Sequence, residues 1–187
     1  LFFNKPIRSK QFINCKLLPG LQFFIFIPLL QVRGHLLNLF HKPISMNNRI
    51  IECVPNISEG RDLEKINAIA RVVESVEGIK LLDIDPGKAT NRTVITFVGE
   101  PEKVIEAAFL LIKKAAEMID MSKHQGEHPR FGATDVCPLI PISGISMEET
   151  ATFARTLGKR VGKELGIPGY YYEAAASEEK RKNLANC

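Results

Sequence analysis

Cysteine is scarce and unpatterned in this sequence. The four residues stand at 15, 53, 137 and 187, with no C-x-x-C pair and no zinc spacing. That argues against a disulfide framework and fits a reduced compartment, so a cytoplasmic location is the expectation. Cys53 and Cys137 lie in apolar, strand-like runs, where a small buried hydrophobe is expected. There is no P-loop, no G-x-G-x-x-G, no internal repeat and no low-complexity tract. A membrane span is also missing. Residues 17–32 are apolar, but Pro19, Gly20 and Pro28 interrupt them, and the stretch between these breaks is Leu21 to Ile27. Spanning a bilayer takes about 20 apolar residues.

Acidic residues are absent from the first 45 positions, which carry Lys5, Arg8, Lys10, Lys16, Arg33 and Lys42. The whole chain has a formal charge of +4, yet the remainder has 19 basic against 21 acidic residues. The basicity is therefore local, and the overall charge gives no argument for nucleic acid. Basic residues before an apolar core suit a secretory signal, but no small-residue cleavage site follows. An organellar transit peptide shares the lack of acids, but serine is rare here and only two arginines occur. The expectation is that residues 1–45 are a foreign, poorly ordered extension or mistranslated upstream sequence. Met46 would then be the natural start of a single domain covering 46–187.

From Arg49 the pattern of apolar residues predicts an element order. Arg49 to Pro55 reads as a strand stopped by proline, with a turn at Asn56 to Gly60. A helix from about Asp62 carries Leu63, Ile66, Ile69, Ala70 and Val73 on one face, and Gly78 ends it. Ile79 to Ile84 and Arg92 to Gly99 read as strands joined by a polar turn. Pro101 opens a long helix with a stripe of Val104, Ala108, Leu111, Ala115 and Ile119. A strand is predicted over Asp135 to Ile140. Ser146-x-x-Glu149 is a capping box for a helix carrying Phe153, Ala154, Leu157, Val161 and Leu165, ended by Gly166. Tyr170 to Tyr172 reads as a last short strand. The order implies an α+β fold: a ferredoxin-like, mostly antiparallel sheet with helices on one face.

The polar residues concentrate between Ile119 and Pro141. That segment holds His124, Glu127, His128, Arg130 and Asp135, with Gly126 and Gly132 relaxing the backbone and Pro129 steering His128 away from helical geometry. Three readings compete. The loop could be a solvated connector. His124-Gln125-Gly126-Glu127-His128 matches H-x-x-E-H, a metal motif that needs a helix to stack both histidines, and Gly126 and Pro129 oppose one. The third reading is acid–base chemistry by His128, whose type titrates near neutrality.

Several segments together carry a resemblance. Glu52-Cys53-Val54-Pro55-Asn56-Ile57-Ser58-Glu59-Gly60, Asp83-x-Asp85, Asn91-Arg92-Thr93-Val94 and the 119–141 loop resemble the amino-terminal subdomain of formiminotransferases. The resemblance runs from about Met46 to the end. It implies transfer of the formimino group from N-formimino-L-glutamate to N5 of tetrahydrofolate, in histidine degradation and one-carbon metabolism. His128, in Gly-Glu-His-Pro-Arg, maps onto the catalytic general acid/base. Asp85 is a candidate to hold the cationic amidine. Arg92 and Arg130 are candidates for carboxylates, and Asn56 is a further substrate-binding candidate. The resemblance implies tetrahydrofolate as co-substrate, no metal, a homodimer in the full-length protein, and no nucleic-acid or membrane partner. It also implies a carboxy-terminal subdomain that this chain lacks, so the expectation is a fragment that is inactive alone. The alternative is a non-catalytic binding module that keeps the half-fold. An RNA-binding ferredoxin-like domain fits less well, because the strands lack paired aromatics for stacking.

Overall fold

The computed structural model describes residues 49–127 and 130–187. The expectation for residues 1–45 lies outside them. The first strand, β1 (Ile50–Cys53), alternates so that Ile51 and Cys53 are buried. The chain does not turn after Pro55 as expected; it resumes as β2 (Asn56–Ile57). The reason is that proline lacks a donor but keeps an acceptor. The Pro55 carbonyl takes the Ile95 amide at 2.9 Å, so one long neighbour strand bridges the gap.

Helix α1 (Leu63–Ala70) is capped by Asp62, whose carboxylate accepts from the Lys65 amide. Its last turn tightens into a 3₁₀ segment, Arg71–Ser75, and Gly78 turns the chain at φ 89°. Ile66, Ile69, Ala70 and Val73 are buried as the periodicity predicted. Leu63 is not: it stands at the first helical position and is 53% exposed. The hairpin of β3 (Lys80–Gly87) and β4 (Arg92–Gly99) follows, with a register shift between Leu81 and Asp83. Helix α2 (Pro101–Met118) buries the stripe of Val104, Ala108, Leu111 and Ala115, and Ile119 just beyond it.

The strand expected over Asp135 to Ile140 is two pieces, β5 (Thr134–Val136) and β6 (Leu139–Ser143). Pro138 again removes a donor, while its carbonyl accepts from the Val54 amide at 3.1 Å. Helix α3 (Met147–Arg160) starts on the capping box, with Glu149 accepting from the Ser146 amide and Ser146 Oγ from the Glu149 amide. A π-turn over Val161–Leu165 leads to Gly166 at φ 66°. Tyr170 to Tyr172 is not a strand. Tyr171 instead lays its ring on Gly158 of α3 and donates its hydroxyl to the Arg155 carbonyl at 3.0 Å. That packing seats the segment on the helix, and it adds no strand to the sheet.

Taking β1 with β2 and β5 with β6, the sheet order is fourth, first, third, second, and every pairing is antiparallel. That is the split β-α-β arrangement the element order predicted. One sheet face carries Ile51, Cys53, Ile95 and Phe97 into a core with α1, α2 and α3. Cys53 is fully buried and Cys137 partly so, with sulfurs 3.6 Å apart, and burial pushes the Cys53 thiol pKa well up. The opposite face presents Glu52, Asn56, Asp85, Arg92, Val94 and Thr96, and among the described residues it carries no helix. The core is the stability determinant. Phe97→Ala should cost about 3–5 kcal/mol in urea denaturation, whereas Leu63→Ala should stay within about 0.5 kcal/mol.

Candidate active site

Three backbone segments converge at one end of the sheet: Ser58–Gly60 after β2, the turn 88–91 between β3 and β4, and the loop that follows Ile119. Asn91 joins all three. It sits at φ 50°, a conformation that asparagine tolerates better than most residues, and is 7% exposed. Its Oδ1 accepts from the Gly60 amide at 2.9 Å, and its Nδ2 donates to the Gln125 carbonyl at 2.9 Å and meets His124 Nδ1 at 3.2 Å. Gly60 has to be glycine: a Cβ there would lie 2.4 Å from the Gly87 carbonyl and 2.5 Å from the Arg92 amide. Gly126 is under a similar constraint, because its Cβ would stand 2.4 Å from the Thr90 carbonyl and 2.7 Å from Arg130 Nη2.

The far end of the loop is tied down separately. The Ser58 hydroxyl donates to the Gly132 carbonyl at 2.7 Å, and the Ser58 amide donates to Ala133 at 2.9 Å. The Asp135 carboxylate accepts from the Phe131 amide at 2.8 Å through one oxygen and from Arg92 Nη2 at 2.7 Å through the other. Arg130 Nη2 donates to the Thr90 carbonyl at 3.3 Å. The Thr93 hydroxyl donates to the Glu59 carbonyl, holding β4 against the same turn.

The residues singled out from sequence are distributed as follows. Asp85 pairs across from Val94, and Val94 pairs across from Asn56, so Asp85 and Asn56 share one cross-strand row on the helix-free face. Arg92 is two residues from Val94 on that face. Asp85 is exposed, while Asn56 is 8% exposed and donates to the Val54 carbonyl. One arm of the Arg92 guanidinium is committed to Asp135, and its buried Nε has no hydrogen-bond partner among the described residues. Arg130 is brought to the β3–β4 turn. His128 and Pro129 lie outside the described residues. His124 leaves a short 3₁₀ turn in extended geometry, and residues 124–127 are not helical, so the helix that H-x-x-E-H chemistry requires is not formed there.

The sequence pattern pointed to no role for Asn91, Ser58 or Glu59, although all three stand inside the 52–60 and 91–94 segments that carry the resemblance. The usable signal was an asparagine closing a polar turn directly before a strand. Burial pushes the Glu59 pKa up, but the amides of Arg61 and Asp62 and the Lys65 ammonium outweigh it and hold the carboxyl below the usual range. Burial pushes the His124 pKa down; Arg130 and Arg61 add to this and Glu59 opposes it.

Fold and site together define an α+β domain with a group of acids, cations and imidazole at one end of an open sheet face. The chain belongs to the formiminotransferase family: the model described as formiminotransferase domain, N-terminal subdomain, matches residues 50–187. It is 52% identical over 136 residues to glutamate formimidoyltransferase of Thermoplasma acidophilum, covering 73% of this chain and 45% of that protein. It is 51% identical over 137 residues to formimidoyltransferase-cyclodeaminase of Mus musculus, covering 73% of this chain and 25% of that one. Against glutamate formimidoyltransferase of Streptococcus pyogenes the identity is 45%, covering 73% of this chain and 46% of that protein. The chain thus spans between a quarter and a half of the length of these relatives.

The lowered His124 pKa makes stability depend on pH. An unfolded histidine begins to bind a proton near 6.5, whereas the folded one resists to a lower pH. Over that window the unfolded state holds more protons, so stability is full above about 6.5 and falls as pH drops towards the folded value. Urea titrations between pH 7.5 and 5 should show this slope, and His124→Gln should remove part of it.

Proposed function

We propose that this chain is the amino-terminal half of a glutamate formimidoyltransferase domain. The reaction moves the formimino group of N-formimino-L-glutamate to N5 of tetrahydrofolate in histidine degradation. The observation that carries this reading is an identity of 45–52% with proteins of that name over the matched 73% of the chain. The site is compatible with it: Arg130 and Asn91 meet at one turn, beside a sheet face that bears Asp85, Asn56 and Arg92.

The chemistry needs two proton transfers. The N5 amine attacks the amidine carbon and forms a tetrahedral intermediate, and the bond from that carbon to the glutamate nitrogen then breaks. A proton leaves the attacking nitrogen and another reaches the departing one. His128 serves both transfers, as base and then as acid. Asp85 offers a carboxylate to the cationic amidine, and Asn56 supplies an amide in the same cross-strand row. Arg130 and the remaining arm of Arg92 serve the carboxylates of glutamate and folate. Tetrahydrofolate enters as co-substrate, the chemistry calls on no metal, and the setting is a cytoplasmic homodimer of the longer protein.

The test supplies this chain with the portion of the Thermoplasma acidophilum relative beyond the match and follows formimino transfer to tetrahydrofolate. Turnover is expected, and His128→Ala should lower kcat roughly 10²–10⁴-fold with an unchanged circular dichroism spectrum. Undiminished turnover in that variant would remove His128 from the mechanism. A tight complex without turnover in the unsubstituted chain would instead mark a binding module.

A further inference from the structure

The Asn91 amide determines which nitrogen of His124 carries the proton. Its Oδ1 is fixed by the Gly60 amide, which can only donate. Nδ2 therefore faces both the Gln125 carbonyl and His124 Nδ1. An amide nitrogen is a donor only, so Nδ1 accepts and the neutral ring holds its hydrogen on Nε2. That Nε2 is buried and has no hydrogen-bond partner among the described residues. Buried polar atoms without a partner are rare and call for a cause.

The charges around the ring narrow the cause. Arg130 and Arg61 act on it from the cationic side and Glu59 from the anionic side. Burial first, and the two cations after it, disfavour the charged imidazole, and the same cations attract negative charge. The residues that follow the ring, Gln125, Gly126 and Glu127, are all exposed.

We propose that His124 is a carboxylate-binding residue, whose Nε2–H, oriented by Asn91 and set beside Arg130, donates to a carboxylate oxygen of the acidic substrate. The identity of that substrate rests on the transferase reading above. The recognised chemistry, a carboxylate, does not.

The test uses ¹⁵N-histidine-labelled chain, with His124 assigned by loss of its signal in His124→Gln. Above pH 7 its Nδ1 should show an acceptor-type shift and its Nε2 a protonated one, and Asn91→Ala should erode that preference. Adding L-glutamate should move the Nε2 signal saturably, while glutaramide, which has no carboxylate, should not. A protonated Nδ1, or an Nε2 signal unmoved by saturating L-glutamate, or equal responses to both molecules, overturns the proposal. In the complemented enzyme His124→Phe should raise KM for N-formimino-L-glutamate roughly 10–100-fold. That rise should exceed the fall in kcat, with His124→Gln partly restoring KM. Loss of turnover with the NMR response intact counts against the transferase reading alone. Turnover with no NMR response counts against His124 alone.

Discussion

One buried amide holds the polar end of this domain together. Asn91 accepts from one segment and donates to another, so the Gly60 turn and the loop after Ile119 cannot shift independently. The cost of leaving such groups unpaired in the interior is about 1–3 kcal/mol each. Both backbone partners are therefore fixed to the same side chain. The positive φ at Asn91 follows from the same requirement, since the hairpin must reverse there while its last residue points inward. Gly60 and Gly126 complete the arrangement by letting two backbones approach more closely than a Cβ allows.

The sheet behind this junction explains why polar chemistry is kept at one end. Proline interrupts both of the strands that neighbour each other at the sheet's middle and edge. In each case the donor is lost and the carbonyl is still used, by Ile95 at Pro55 and by Val54 at Pro138. The breaks leave the apolar face continuous, because Ile51, Cys53, Ile95 and Phe97 still point into the helices. They also let the short β2 and β5 pair separately from β1 and β6, so that Asn56, Arg92 and Asp135 gather where the loop returns.

Much of this was legible in the residues. Periodicity located all three helices, because each must bury a stripe, and the capping box at Ser146 has a local chemistry that tertiary packing did not override. The ferredoxin-like order followed from the succession of elements. What could not be read was non-local. Proline at 55 signals a stop in one strand taken alone, yet a long partner strand carried the pairing past it. Three tyrosines in a row have strand propensity, but Gly158 on α3 offers a flat seat for Tyr171 that no local rule reveals. The partners of Asn91 lie 31 to 34 positions away in both directions, beyond any window in which spacing is informative.

Arg92 shows how the same geometry limits a functional reading. From sequence it was a candidate for a substrate carboxylate. In the fold Asp135, only 3% exposed at its side chain, takes one of its arms at 2.7 Å. Asp135 also holds the Phe131 amide, so the pair links the start of β4 to the exit of the loop. Breaking a buried ion pair by removing one member leaves an uncompensated charge and costs about 3–5 kcal/mol. A substrate that displaced Asp135 would have to repay that cost. The Arg92–Asp135 pair is therefore held in place by the fold itself, with the Phe131 amide fixing the carboxylate from its other oxygen.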